Sequence, residues 1–144
     1  NIDKLVQILK DKLPAGFPWY DEEILTDRPE RFLAGEIIRE KVLLLTHEEV
    51  PHSVAVEVEE YKSPDEYPER DVLYIRANLV VEREGQKTIL IGKKGSKIKK
   101  IGSLARSDIE TMTGHRVFLD LWIKVRPAWR KSEGELWRMG YIER

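Results

Sequence analysis

The repeat of the apolar residues changes along this chain, and that change limits the fold more than any other feature. Ala34, Ile38, Val42 and Leu45, widened by Leu33, Ile37 and Leu44, recur at the spacing of one helix face. From Val54 the period drops to two: Val54, Val56 and Val58 alternate with Ala55, Glu57 and Glu59, as in a half-buried strand. Leu73, Ile75, Ala77, Leu79 and Val81 repeat the alternation. Helical spacing returns over residues 86–91 and 96–113, and a third alternating run carries Val117, Leu119, Leu121, Ile123 and Val125. The order helix, strand, strand, helix, helix, strand predicts an α+β layer, a three-stranded sheet with helices packed on one face.

Punctuation supports these elements. Asp27 with Glu30 three residues on forms an N-cap pattern, with Pro29 in the first turn, and Val50-Pro51 is expected to end that helix after about five turns. Residues 62–68, with two prolines, read as a polar connection. Gly85 marks the end of the second strand, Gly114 has the place of a C′ glycine, and Pro127 stops the third strand. Residues 133–139 are expected to form a last short helix. Ahead of all this, Ile2, Leu5, Val6, Ile8 and Leu9 follow helical spacing until Pro14 and Gly16 break it. A helix this short is marginal alone, so its apolar face expects a partner. Residues 1–25 read as the tail helix of a preceding domain and a linker, and residues 26–144 as the main domain.

The 144 residues suit one ordinary domain, and 35% of them are charged. No cysteine occurs, which excludes a disulfide scaffold, a cysteine zinc site and a thiol nucleophile. Apolar runs reach only four residues, as in 42–45, far below the roughly 20 of a membrane span. The net charge of −1 hides a strong division. Residues 1–85 hold 11 Lys/Arg and 20 Asp/Glu, whereas residues 86–131 hold 12 Lys/Arg and 3 Asp/Glu. A basic block on an acidic remainder attracts phosphate or anionic lipid while discouraging indiscriminate binding. A solvated basic helix would show the same block, so charge alone does not decide.

The segment Ile91-Gly92-Lys93-Lys94-Gly95-Ser96-Lys97-Ile98 adds chemistry to that charge. A tight turn would explain one glycine, not two flanking a lysine pair in the most basic stretch. Glycines let the backbone approach a ligand closely. Free amides at the start of the following helix, with its dipole, suit phosphate oxygens. Lys93 and Lys94 add charge at the tip, and Lys97, Lys99 and Lys100 continue it. Ile98, Ile101, Ala105, Ile109 and Met112 are expected to hold that helix to the sheet.

A Gly-x-x-Gly loop between helices is the backbone clamp of KH domains. Residues 91–98 match the family's Ile-Gly-x-x-Gly-x-x-Ile pattern, and the element order resembles the type II arrangement, α-β-β-α-α-β. The likeness extends further. The segment from Thr26 to Lys41 (TDRPERFLAGEIIREK), residues 49–56 (EVPHSVAV), 89–95 (ILIGKKG) and 121–125 (LWIKV) with Trp129 resemble the C-terminal region of the Era family of bacterial ribosome-assembly GTPases. The resemblance covers about Pro14 to Tyr141. It implies a cytoplasmic RNA-binding domain for the single-stranded 3′ end of 16S ribosomal RNA in 30S subunit assembly, with a peripheral contact on the inner face of the cell membrane as a further partner. It also implies an N-terminal GTPase domain that would carry GTP and Mg. No Walker loop is present here: Gly92-Lys93 is followed by Lys94 where Ser or Thr is needed. The chain is therefore expected to bind rather than catalyse, with no cofactor of its own.

The expected RNA-binding residues are Ile91, Gly92, Lys93, Lys94, Gly95, Ser96, Lys97, Lys99 and Lys100. Ile89 and Ile91 are apolar walls of a base groove between the two helices and the sheet, and Arg106, Lys124 and Arg126 are outlying phosphate contacts. His47, His52 and His115 share no ligand spacing; His52 is expected to satisfy a backbone group. Trp122, on the face opposite the Val117–Val125 stripe, suits either stacking on a base or burial under the C-terminal helix that carries Trp137, and burial is favoured. A lipid-binding helix is disfavoured because Asp108 and Glu110 interrupt the basic residues. A KH module without ribosomal specificity, or a docking domain using Glu57, Glu59, Glu60, Asp65 and Glu66, are the alternatives.

Overall fold

A computed structural model describes residues 1–17, 26 and 28–142. The elements in chain order are α1 (Ile2–Lys12), α2 (Glu30–Leu45), α3 (Val50–Ser53), β1 (Ala55–Lys62), β2 (Leu73–Val81), α4 (Glu84–Ile91), α5 (Ser96–Thr113), β3 (Val117–Val125) and α6 (Glu133–Arg138). Single 3₁₀ turns occupy Lys93–Gly95 and Trp129–Lys131. The sheet has the order β1-β2-β3, with β1 antiparallel and β3 parallel to the central β2. This is the expected α+β layer, of mixed strand direction. Among the described residues no helix is long and apolar enough to cross a membrane.

The core lies between one face of the sheet and α2, α4 and α5. Leu73, Ile75, Ala77, Leu79 and Val81 of β2 are all fully buried, as their alternation predicts, and Val117 to Val125 of β3 line the same layer. Ala34, Ile38 and Val42 bring α2 onto it, and Ile101, Ala105 and Ile109 bring α5. Burying side chains of this size contributes about 1.5–3 kcal/mol each. Gly35 lets α2 lie close on β1: a Cβ there would sit 3.3 Å from Cγ2 of Val58. Lys41, on the buried side of α2, pairs with Asp108 of α5 and, at 3.0 Å, with Glu40. The hydrogen bond to Asp108, then that to Glu40, raises the Lys41 pKa against the cost of desolvation.

Several boundaries differ from expectation. Helix α2 ends at Leu45, and Pro51 opens a separate helical turn, α3, so Val50-Pro51 does not terminate the long helix. Thr46 closes α2 by donating its hydroxyl to the Val42 carbonyl at 2.7 Å. Leu44 points to solvent instead of widening the buried stripe. Pro29 is the N-cap rather than a first-turn residue; Asp27, and the linker positions 18–25, lie outside the described residues. Gly85 falls inside α4 rather than after β2, because Gln86 draws the corner tight. Its side-chain oxygen accepts from the amides of Glu82 and Arg83 at 2.9 and 3.1 Å, and its amide donates to the Ser53 hydroxyl at 2.8 Å. Helix α1 forms as expected and buries none of its residues.

The far face of the sheet is covered at one end by the C-terminal segment, as expected, but through a different tryptophan. Trp129 is buried there against Ala55 and Val80, with Leu136 and Met139 beside it. Its indole donates to the Ser53 carbonyl at 3.2 Å. Arg126 reaches Glu57 at 2.7 Å and Glu135 at 3.0 Å, which ties α6 to the sheet. The C-terminal segment therefore covers the Ala55–Val80 end and leaves Trp122 55% exposed. Burial of Trp122 under that helix is corrected: Trp129 takes the covered place. His52 is exposed, and it is its carbonyl, not its ring, that is bonded, accepting from Arg130 at 3.0 Å.

Candidate nucleic-acid interface

The Gly92–Gly95 loop is built by two neighbouring elements. Helix α4 closes with the Gly92 amide donating to the Thr88 carbonyl at 3.0 Å. The chain then turns through Gly92 (φ 69, ψ 178), Lys94 (φ 51, ψ 32) and Gly95 (φ 76, ψ 13) before α5 begins at Ser96. Gly92 is constrained twice. Its φ lies where side chains rarely go, and a Cβ would meet the Lys97 Cβ at 2.7 Å and the Lys97 amide nitrogen at 3.0 Å. Gly95 is left-handed but opens on free space. Lys94 takes a positive φ with a side chain, which places strain at the tip.

Charge at the loop is uncompensated. Lys93, Lys94, Lys97, Lys99, Lys100 and Arg106 make no ion pair with any described residue, whereas the three acids of residues 86–131 are all engaged. Asp108 holds Lys41, Glu110 accepts from the Val117 amide at 3.0 Å, and Asp120 receives Arg76 at 3.2 Å. The positive field of the segment is thus directed at solvent, where an anion can meet it.

A groove of about 370 Å³ runs between α5 and the edge strand β3, starting at the first turn of α5. Ile98, Gly102 and Leu121 supply apolar walls, and Lys99, Ser103 and Arg106 line it on the helix side. Gly102 keeps the floor low: a Cβ there would lie 3.5 Å from Cδ1 of Leu121. Because α5 and β3 run in opposite directions past the Gly114 turn, the groove begins at Ile98 and Lys99, in the first turn of α5 after the loop, and ends near Arg106, Leu119 and Phe118.

The expected residues divide into three sets. Gly92, Lys93, Lys94, Gly95, Ser96, Lys97, Lys99 and Lys100 gather at the loop and the first turn of α5, and Arg106 joins them along the groove. Ile89 and Ile91 are exposed on α4 and do not line the groove. Lys124 stands on the outer face of the sheet, 2.6 Å from Glu59, whose pKa its hydrogen bond lowers, and Arg126 is held by Glu57. Gly102, Ser103, Phe118 and Leu121 were not foreseen. Gly102 carried a usable signal, a glycine inside a basic helix opposite an alternating strand.

Comparison with known proteins agrees with this geometry. A family model described as the KH domain matches residues 49–130. Two solved structures of Era resemble the chain over 99% of its length at 44% identity. One is an Aquifex aeolicus Era variant bound to GDP and aluminium fluoride, with a TM-score of 0.86. The other is Era in complex with MgGDPNP and nucleotides 1506–1542 of 16S ribosomal RNA, with a TM-score of 0.87. The chain spans 47% of each of those proteins. With helices α2, α4 and α5 on a β1-β2-β3 sheet and a Gly-Lys-Lys-Gly loop between α4 and α5, the chain belongs to the KH domain family, in its type II arrangement.

Proposed function

We propose that this chain binds single-stranded RNA, with the 3′ end of 16S ribosomal RNA as its target, in assembly of the 30S subunit. The observation that carries this reading is the uncompensated Gly92–Gly95 loop, placed one helical turn before the start of the α5–β3 groove. It is supported by the 44% identity to an Era that holds 16S nucleotides. The loop amides, Lys93, Lys94 and the Ser96–Lys97 turn grip the sugar–phosphate backbone, which sets position without reading sequence. Lys99, Lys100 and Arg106 extend the cationic track, while Ile98, Gly102 and Leu121 receive the base faces. Ile89 and Ile91 flank the loop on its α4 side. Lys124 meets only an RNA that passes round the β3 edge. The work is binding, not catalysis. In the longer Era-like protein of which this would be one part, α1 and the segment after it join a GTPase domain that holds GTP and Mg. The proposed setting is the cytoplasm, with a peripheral contact to the inner membrane face.

The test is fluorescence anisotropy of a labelled 16S 3′-end oligonucleotide, with a scrambled oligonucleotide as control. The Lys93→Asp/Lys94→Asp variant keeps both glycines, and aspartate tolerates a positive φ. Tight, sequence-dependent binding by the parent and its collapse in the variant are expected. With about four phosphates neutralised, log K falls with log salt at a slope near −3. Equal binding of both oligonucleotides leaves a general KH module; equal binding by both proteins overturns the loop as the clamp.

A further inference from the structure

Beyond the groove's end, the outer face of the sheet carries an aromatic pair with no structural duty in the core. Phe118 of β3 stacks on Tyr74 of β2 with ring centroids 5.8 Å apart and planes 16° from parallel. Phe118 is 58% exposed, so one face rests on Tyr74 and the other meets water. The ring beneath is held firmly. The Tyr74 hydroxyl donates to Asp120 at 3.4 Å, and Arg76 bridges Asp120 at 3.2 Å and Glu60 at 2.8 Å. Lys62 and Arg76 lie 5.7 and 5.8 Å from the Tyr74 centroid. A lone exposed phenylalanine needs no explanation. A flat, pre-stacked ring whose neighbouring acids are already neutralised is different, because it presents a π-face at little ordering cost.

Continuity with the groove names the occupant. Phe118 also lines the groove, at the end away from the Gly92–Gly95 loop, beside Arg106. We propose that Phe118, backed by Tyr74, is a stacking platform for a base of single-stranded RNA leaving the groove round the β3 edge, with Arg106 on the adjoining phosphate. The inference rests on the RNA-binding reading and lengthens its footprint beyond the roughly four nucleotides that a KH clamp holds. Stacking on one aromatic ring is tolerant of base identity, so this subsite adds affinity and sets the exit direction of the strand.

The experiment compares Phe118→Ala, Phe118→Trp and the parent for binding to two nested 16S 3′-end oligonucleotides. One is of clamp length and the other is about twice as long. Exposure of Phe118 makes both variants compatible with the fold, which circular dichroism checks. Phe118→Ala is expected to weaken the long oligonucleotide roughly 5- to 150-fold, the span of one lost base–aromatic stack, and to leave the short one unchanged. Phe118→Trp restores the long-strand affinity. Equal loss on both lengths, or none on either, overturns the platform while leaving the RNA-binding reading intact. If the parent binds neither length, both fall together.

Discussion

Alanine at Gly92 and at Gly95, one at a time, separates the two glycines that the loop motif treats alike. At Gly95 (φ 76, ψ 13) the methyl group enters open space, so the cost is that of the left-handed region alone, about 1–2 kcal/mol. At Gly92 (φ 69, ψ 178) the backbone lies in a region almost reserved for glycine, about 1–3 kcal/mol. There the methyl also falls 2.7 Å from the Lys97 Cβ and 3.0 Å from its amide nitrogen. Lys97 sits in the first turn of α5 and cannot withdraw without disturbing the start of that helix. Gly92→Ala is therefore expected to lose about 2 kcal/mol more than Gly95→Ala. At ordinary m-values this is a shift of about 1 M in the urea midpoint. RNA affinity should follow the same order, and Gly95→Asn should stay close to the parent. A Gly92→Ala protein matching Gly95→Ala in both urea midpoint and RNA affinity would refute the reasoning.

Trp129→Ala removes the buried ring and its bond to Ser53, and should cost about 3–5 kcal/mol in denaturant unfolding. Trp122→Ala, exposed, should stay within about 0.5 kcal/mol, and the reverse order would contradict the packing described. Acid should weaken the fold through Glu82 and Glu59. The hydrogen bonds to Arg130 and Lys124 lower their pKa values beneath the ordinary 4.5. Stability from these groups is present above that value and is lost as pH falls through the folded pKa. Thermal unfolding followed from about pH 6 to about pH 3 should show this fall, and Glu82→Gln should flatten part of it.

Where a residue's role depends on its own strand or helix, it was legible in the sequence. The β2 alternation placed five side chains in the core, Gly114 closes α5 as its position suggests, and the Gly92–Gly95 loop forms between two helices. What escaped depends on pairing between distant segments. The parallel register that sets Tyr74 beside Phe118 joins residues 44 apart, and neither local pattern contains it. Trp129 was indistinguishable from Trp122 or Trp137 as an anchor, because its partners Ala55 and Val80 belong to other strands. Ile89 and Ile91, apolar and next to the motif, read as walls of a groove that the sheet also bounds, and they lie outside the α5–β3 groove. Which strand supplies the sheet wall, β3, follows only once the chain has turned back after α5 at Gly114.

The two margins of the sheet are not equivalent. Along β1, Arg31 of α2 extends its guanidinium to the carbonyls of Val58 and, at 3.1 Å, Glu59, and a bulge between Val58 and Glu60 breaks the line. Those acceptors are no longer offered to a passing strand. The β3 margin is met at its start, where the Val117 amide donates to Oε1 of Glu110 at 3.0 Å. Edge-to-edge growth of a sheet uses the free backbone groups of its margins, so each of these side chains withdraws part of the template that a second copy would need. A side chain on α2 thus acts as a guard on the sheet edge beside it. Arg31→Ala returns the Val58 and Glu59 carbonyls to solvent and removes that guard.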